Sequence, residues 1–132
     1  MVSINQEQLL LYVIRNYGGR MRSGKLLAAI IETYYPWLLE SVRQNKCPFC
    51  GRVFPSRRSL EIHFKLTKKC KQQLWSIAED IFDKYSIAKQ YIRKYKYTKV
   101  VKVYCVTIEN PAIRVSTLKE AIQLLRKRGY LP

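Results

Sequence analysis

Residues 47–70 have the sequence CPFCGRVFPSRRSLEIHFKLTKKC, and the interpretation of the whole chain depends on this stretch. Two residues lie between Cys47 and Cys50, and twelve more lie before His63, which is the single histidine of the chain. Six further residues lie before Cys70. Thiolate and imidazole groups are the donors that suit a tetrahedral zinc ion. Because so short a segment has no room for a core of its own, metal binding would supply its free energy of folding. The spacing therefore predicts one structural zinc ion per chain, held by these four side chains.

The apolar residues between the ligands also follow a regular pattern. Three residues separate Cys50 from Phe54, and two separate Leu60 from His63. In this order of cysteines, phenylalanine, leucine and histidine the stretch resembles the C2H2 zinc-finger family, over 24 of the 132 residues. The fourth ligand departs from the family, because it is Cys70 and follows a longer spacing than usual. The resemblance therefore implies a finger with a Cys-Cys-His-Cys ligand set. The other interpretation is a group of unrelated cysteines in a reduced core.

The local sequence predicts a tight turn followed by a helix. Gly51 allows the chain to turn after Cys50. Ser56 can cap a helix over Arg57 to about Leu66, which would bring the apolar spacer and the histidine onto one inward face. The long spacing to the fourth ligand implies a loosened helix end near residues 67–69.

The net charge of the chain is strongly positive. There are 25 Lys and Arg residues against nine Asp and Glu residues, a formal net charge of +16. Residues 1–46 contribute +3, residues 47–74 contribute +6 and residues 75–132 contribute +7. Thermophile surfaces usually balance Lys with Glu, which this sequence does not do. An excess of this size indicates a polyanionic partner.

Three observations predict an intracellular protein that does not span a membrane. No run of about 18 apolar residues is present. The N-terminal sequence MVSINQEQLL has no basic region typical of a secretory signal. Assigning three of the four cysteines to the metal favours a reducing compartment, so the protein is not expected to be secreted. The expected location is the host cytoplasm if the protein is viral or prokaryotic, and the nucleus if it is eukaryotic. Cys105 is predicted to be a buried apolar residue.

The pattern of the whole sequence predicts an α+β protein that is mostly helical. Residues 1–46 are predicted to form an N-terminal helical segment, in which helix, glycine turn and helix give the outline of a helix-turn-helix. The predicted helices of this segment cover residues 3–17, about Ser23 to Tyr34, and Trp37 to about Arg43. The resemblance implies an embedded ββα-like zinc finger over residues 47–70, and residues 71–132 are predicted to form a basic helix–strand–helix segment. All three are expected to share one compact unit.

Within residues 71–132, an apolar stripe predicts a long helix over Gln72–Tyr95. A capping box at Thr117 predicts a C-terminal helix. The β-branched run at residues 97–108 predicts a strand. Its pairing partner is predicted to be either Arg52–Pro55 or Pro111–Val115.

The resemblance and the charge together imply a nucleic-acid ligand. Carried over by position, the residues nearest the bases would be Ser56, Ser59 and Ile62, none of which makes bidentate contacts to base edges. Phosphate contacts are expected from Arg57, Arg58, Lys65, Lys68 and Lys69. The sequence therefore predicts a regulator of transcription that binds double-stranded DNA, with affinity rather than specificity coming from the finger.

Two other functions stay open at this point. In a protein-interaction module, the zinc would only stabilise a small fold and the charge would attract an acidic protein. Binding of single-stranded nucleic acid or RNA is suggested by Lys84–Lys102, which contains seven basic residues and no acidic one. Four tyrosines that could stack on bases lie among them: Tyr85, Tyr91, Tyr95 and Tyr97. If these rings pack inward, the lysines are merely solvated.

No catalytic residue is predicted, so the protein is not expected to be an enzyme. Four protein ligands leave no open position on the metal, and no histidine remains as a general base. Glu79, Asp80 and Asp83 lie within about one turn of each other, as in some metal-dependent nucleases. They are expected instead to stabilise the early turns of a helix through its dipole.

In composition the whole chain resembles the small regulators encoded by viruses of hyperthermophilic archaea. It is short, basic, rich in Tyr, Ile and Lys, and has a single finger. This resemblance implies a viral regulatory protein but involves no motif beyond the finger.

Overall fold

The computed structural model describes residues 24–97 and 102–132. The fold is mixed α+β and mostly helical, as predicted. The predicted helix over residues 3–17 and the glycine turn after it lie outside the described residues. In chain order the elements are α1 (Gly24–Tyr34), α2 (Pro36–Arg43), α3 (Arg57–Leu66), α4 (Lys68–Tyr91), β1 (Ile92–Tyr97), β2 (Lys102–Val106), β3 (Ile113–Val115) and α5 (Leu118–Lys127).

The chain divides into two compact units, and the boundary lies within α4. The first unit ends at Phe82, and the second spans Asp83–Pro132. The division into an N-terminal segment, a finger and a basic C-terminal segment stays a prediction.

In the first unit, α1 and α2 pack against each other. Pro36 is the first residue of α2. An N–H group at this position has no partner within the helix, so a proline here costs no hydrogen bond. The predicted helix over Trp37 to about Arg43 is therefore confirmed, with Pro36 as its first residue. The fully buried side chains of the unit include Leu27, Ile30 and Ile31 of α1, Leu38 and Val42 of α2, Leu60 of α3, and Ala78 and Ile81 of α4.

In the second unit, the three strands form an antiparallel sheet in the order β1-β2-β3. Tyr104 in the central strand pairs with Lys94 of β1 and with Val115 of β3. α5 packs against β2 and β3. Its buried residues are Ala121, Ile122 and Leu125.

Thr117 caps α5 as the sequence predicts, but the carboxylate of Glu120 reaches the residue before the cap. The Thr117 hydroxyl accepts a hydrogen bond from the Glu120 N–H at 3.1 Å. The carboxylate of Glu120 accepts hydrogen bonds from Ser116, from its hydroxyl at 3.1 Å and its backbone N–H at 3.4 Å. After the helix, Gly129 has a φ of +83°, the left-handed conformation that often ends a helix.

The sheet confirms one predicted pairing. β2 lies within the predicted strand at residues 97–108, and it pairs with Ile113–Val115. The other candidate partner, Arg52–Pro55, is not one of the strands of this sheet. Its residue Val53 forms a single β-bridge with Lys46. The two strands of the ββα-like finger are thus reduced to one bridge. Cys105 in β2 is half-buried, so the prediction that it is buried was wrong.

The predicted helix over Gln72–Tyr95 was wrong at both ends. α4 begins earlier, at Lys68, and ends at Tyr91, after which Ile92–Tyr97 form β1. The apolar spacing in this segment suits a helix, but pairing with β2 satisfies the same backbone groups. Strand preference depends on such cross-strand contacts more than on the segment itself.

Candidate metal centre

Cys47 and Cys50 lie on a tight turn that follows α2. The Gly51 N–H donates a hydrogen bond to the Cys47 carbonyl, and the Cys47 N–H donates to the Arg52 carbonyl, both at 2.9 Å. Gly51 has a φ of +76°, a conformation that would strain any residue with a side chain. The predicted turn at this glycine is therefore confirmed.

α3 places His63 beside the turn. Ser56 caps this helix as predicted, because its hydroxyl accepts a hydrogen bond from the Ser59 N–H at 3.1 Å. Two turns further along, His63 Nε2 lies 3.5 Å from Cys50 Sγ. In a tetrahedral zinc complex with ordinary bond lengths, a sulfur and a nitrogen ligand lie about 3.6 Å apart. The two atoms therefore have the separation that a shared metal ion requires.

The fourth thiol comes from the next helix. Thr67 leaves the helical conformation, with a φ of −87° and a ψ of 99°, and Lys68 already begins α4. Cys70 consequently lies in the first turn of α4. The loosening predicted for residues 67–69 is confined to Thr67, because a bend at one residue is enough to redirect the chain toward the other ligands.

Together these elements bring the predicted ligands into one cluster. The ligand atoms of Cys47, Cys50, His63 and Cys70 all lie within 4.8 Å of one another. Cys47 and Cys70 are buried, His63 is half-buried and Cys50 is exposed. Three thiols and one imidazole at this separation could hold a metal ion, and the donor set fits one.

A hydrogen bond from outside the cluster orients the imidazole. His63 Nδ1 lies 3.0 Å from Thr67 Oγ1. Histidines that bind a metal through one ring nitrogen commonly donate a hydrogen bond from the other. With its proton on Nδ1, His63 presents a bare Nε2 lone pair on the side of Cys50. Sequence reasoning missed Thr67, although its position one helical turn after the histidine was a usable signal.

Apolar side chains pack around the imidazole. The ring centroid of Phe54 lies 4.7 Å from that of His63, and the centroid of Phe64 lies 5.9 Å away. Leu60 is fully buried. Phe54 and Phe64 therefore lie against the imidazole, and Leu60 belongs to the buried core of the first unit.

The surroundings of the four ligands shift their pKa values in different directions. Burial raises the pKa of Cys70 to about 12, and hydrogen bonding to Cys47 adds to the effect. Burial also raises the pKa of Cys47. In contrast, a hydrogen bond from the Arg52 backbone lowers the pKa of Cys50, and burial lowers the pKa of His63. A metal ion would have to displace protons from the buried thiols, so its binding would release protons.

Three of the residues predicted to contact nucleic acid share one face of α3. Arg58, Ile62 and Lys65 are exposed, and their spacing of four and three residues places them on one side of the helix. Leu60 and His63 lie on the opposite side by the same geometry. Ile62 is 45% exposed. The helix thus has one face toward the cluster and a partly basic face toward solvent.

The other predicted contact residues lie at the ends of this helix. Arg57 is half-buried. The hydroxyl oxygens of Ser56 and Ser59 are 2.9 Å apart, within the helix cap. Lys68 and Lys69 are exposed in the first turn of α4, beyond the bend. The nucleic-acid contacts of all these residues stay a prediction.

The acidic residues Glu79, Asp80 and Asp83 of α4 do not lie at the start of a helix. The prediction that they stabilise the early turns of a helix was therefore wrong. Glu79 and Asp80 lie more than two turns after Lys68, where α4 begins. Asp80 accepts a hydrogen bond from the hydroxyl of Tyr35. This carboxylate therefore has a structural contact with the residue that joins α1 to α2.

Two of the four tyrosines proposed for stacking on bases pack within the fold. Tyr85 is 6% exposed, and Lys84 beside it is 7% exposed. The ring of Tyr91 lies 4.9 Å from that of Tyr130. Tyr85 therefore does not present an open ring face to a single strand, and the ring of Tyr91 already has an aromatic partner.

None of the helices in the described ranges is long and apolar enough to cross a membrane. In comparisons of sequence and structure, no protein-family model, curated protein or solved structure matches this chain. The function proposed below therefore depends on the residues of the site.

Proposed function

We propose that this protein binds double-stranded DNA through a helix that a structural zinc ion fixes in place, and that it regulates transcription. The observation that supports the proposal most is the division of α3 into two faces. His63 belongs to the metal cluster, while Arg58 and Lys65 are exposed on the opposite face. The metal would therefore stabilise the helix without competing for the residues that contact DNA.

The donor set favours zinc over other metal ions. Magnesium and calcium prefer oxygen ligands, whereas thiolates and imidazole suit zinc. The cluster supplies four donors, so the coordination shell of a tetrahedral ion would be complete. Zinc would then hold the turn after α2 together with α3 and α4 and offer no site for a substrate. We accordingly propose no catalytic activity for this centre.

The exposed face of α3 suits phosphate contacts better than base recognition. Arg58 and Lys65 can each neutralise a phosphate, and such contacts orient a protein on the duplex without reading sequence. Ile62 lies between them and can touch only apolar groups. The serine hydroxyls of the helix cap already contact each other at 2.9 Å. Binding that depends strongly on salt and weakly on sequence follows from this arrangement.

The test is a titration of the zinc-loaded protein with a labelled random duplex at several salt concentrations. Each phosphate contact should contribute about 0.9 to the slope of log affinity against log salt. A slope of several units, with weaker competition by single-stranded DNA and RNA, would support the proposal. Absence of binding at physiological salt, with the zinc in place, would contradict it.

A protein-interaction module is the second candidate, and the apolar exposure of α3 favours it. Leu66 is 79% exposed and Ile62 is 45% exposed. The two residues are four positions apart and therefore neighbours on the helix surface. Exposed apolar groups of this kind often mark protein contacts. If Leu66→Ala and Ile62→Ala leave DNA affinity unchanged while Arg58→Ala lowers it, double-stranded DNA remains the better candidate than a protein as the partner of α3.

A further inference from the structure

A groove of about 450 Å³ lies between β3 and α5 in the second unit. Ile113 and Val115 of β3 form one wall. Gln123, Leu124 and Lys127 of α5 form the other. The groove is independent of the metal centre, because every residue that lines it belongs to the second unit.

The groove exists because α5 covers the sheet with a different face. Ala121, Ile122 and Leu125 are the buried residues of this helix. Leu124 is only half-buried, as are Ile113 and Val115 across the groove. Three apolar side chains therefore remain partly open to solvent at one place. Binding a ligand with apolar groups would remove this area from water.

One side of the groove is formed by the outer strand of the sheet. Within the part of the chain that the structure describes, β3 pairs with β2 and is the outer strand. The edge of a sheet can pair with an extended peptide, which then adds a strand. Side chains of such a peptide alternate in direction, so every second one would face the apolar residues.

The charge around the groove favours an acidic ligand. The second unit contains twelve Lys and Arg residues and three Asp and Glu residues, a net charge of +9. Lys127 lines the groove and is exposed. The single acidic residue in the lining, Glu120, accepts two hydrogen bonds from Ser116 and so belongs to the cap of α5. Electrostatic complementarity of this kind selects partners of opposite charge.

We propose that this groove binds an extended segment of an acidic protein, in which acidic and apolar residues alternate and which adds a fourth strand to the sheet at β3. A nucleic acid fits less well, because the walls are apolar and offer phosphates little beyond the lysines. A second copy of the chain fits less well too, because two chains of net charge +16 repel each other.

The length of the groove limits the length of the segment. Lys119 and Lys127 mark its extent along α5, which at about 1.5 Å per residue corresponds to about 12 Å. A strand rises about 3.3 Å per residue, so about four residues of the partner would lie in the groove. Two of them would face its apolar walls.

The probe is a fluorescent eight-residue peptide of alternating valine and glutamate, titrated with the full-length, zinc-loaded protein. Anisotropy measures affinity, and amide chemical shifts locate the peptide. One control peptide has lysine in place of glutamate, and another has a central proline, which cannot donate a strand hydrogen bond. The protein variants are Lys127→Glu and Leu124→Gln. Lys89→Glu is the matched control, because Lys89 is an exposed lysine of the same unit that does not line the groove.

The proposal predicts saturable binding of the glutamate peptide alone, with shifts concentrated at residues 113–115 and 119–127. Lys127→Glu and Leu124→Gln should each weaken it about five-fold or more, whereas Lys89→Glu should change it less than about two-fold. Equal binding of the lysine or proline peptide would overturn the proposal. So would shifts outside the groove, concentration-dependent dimerisation that protects it, or displacement of the peptide by a short duplex bound at the same residues. Lys127→Glu replaces an exposed residue, so its effect can be measured in a folded protein whatever happens to Leu124→Gln.

Discussion

His63 Nδ1 lies 3.0 Å from the hydroxyl oxygen of Thr67, so the single imidazole of the cluster contacts the residue that follows the end of α3. Thr67 has an extended conformation with a ψ of 99°, and this bend redirects the chain so that Cys70 reaches the cluster. The same residue therefore orients one candidate ligand through its side chain and positions another through its backbone. The bend at Thr67 explains how His63 and Cys70 can reach the same cluster with six residues between them.

Removing the Thr67 hydroxyl should weaken metal binding without unfolding the site. Thr67→Val keeps the shape and the extended backbone preference of the residue but loses the hydrogen bond to His63. Loss of such an outer contact typically lowers metal affinity about 10- to 100-fold. Competition with a chromophoric chelator would measure this. Thr33→Val is the control, because the Thr33 hydroxyl donates to the Ala29 carbonyl at 2.8 Å instead. Equal affinities of the two variants would show that the contact does not support the ligand.

The apolar spacer on α3 should contribute to stability as a core residue. Leu60 is fully buried, so Leu60→Ala should lower the free energy of unfolding by about 2–5 kcal/mol. Ile62→Ala, two positions away and 45% exposed, should cost less than about 1 kcal/mol. Urea unfolding of both zinc-loaded variants compares the two values. Similar losses would mean that the two faces of α3 have been assigned wrongly.

Alkaline stability should depend on Tyr35. Burial raises the pKa of Tyr35 to about 12 from an ordinary value of 10, and the hydrogen bond to Asp80 adds to the shift. Because the folded state favours the neutral hydroxyl, this contribution is complete below pH 10 and is lost as the pH rises toward 12. Wild-type protein should therefore lose more Tm between these pH values than Tyr35→Phe does. Tyr130→Phe, at an exposed position, is the control. Parallel curves for wild type and Tyr35→Phe would contradict the assignment.

If α3 contacts DNA, its two exposed basic residues should each lower the salt dependence of binding. Arg58→Ala and Lys65→Ala should reduce the slope of log affinity against log salt by about 0.9 each. Lys65 also lies 3.2 Å from Glu61, but this pair is solvent-exposed enough that its loss should hardly affect stability. Lys89→Ala in the second unit is the control, because it removes one positive charge, as each of the α3 variants does. A slope that falls as much for Lys89→Ala would show that only net charge matters.

The local structure of residues 47–70 was predicted well from the sequence because its signals are local. The cap at Ser56, the turn at Gly51 and the inward position of Leu60 each depend on residues within a few positions. The bend at Thr67 was predicted only as a looser helix end, because a single non-helical residue leaves no mark in the spacing of apolar residues.

The second unit was predicted less well because its structure depends on distant contacts. Ile92–Tyr97 have apolar spacing that suits a helix, and only the pairing with β2 makes them a strand. The groove beside β3 was not predicted at all. The buried face of α5 contains Ala121, Ile122 and Leu125, which leaves Leu124 on the groove side, and Ile113 and Leu124 have no sequence pattern that marks them as its walls.

Metal content is the most direct test of the account. Native mass spectrometry of protein purified in zinc should show one zinc ion per chain for the wild type and for Cys105→Ser, which removes the cysteine outside the cluster. Cys50→Ser changes an exposed side chain, so it should lose the ion by removing a ligand rather than by disturbing the core. The account predicts one zinc ion for the wild type, one for Cys105→Ser and none for Cys50→Ser. Only Cys50→Ser should have a lower Tm. One zinc ion retained by Cys50→Ser at unchanged Tm would contradict it.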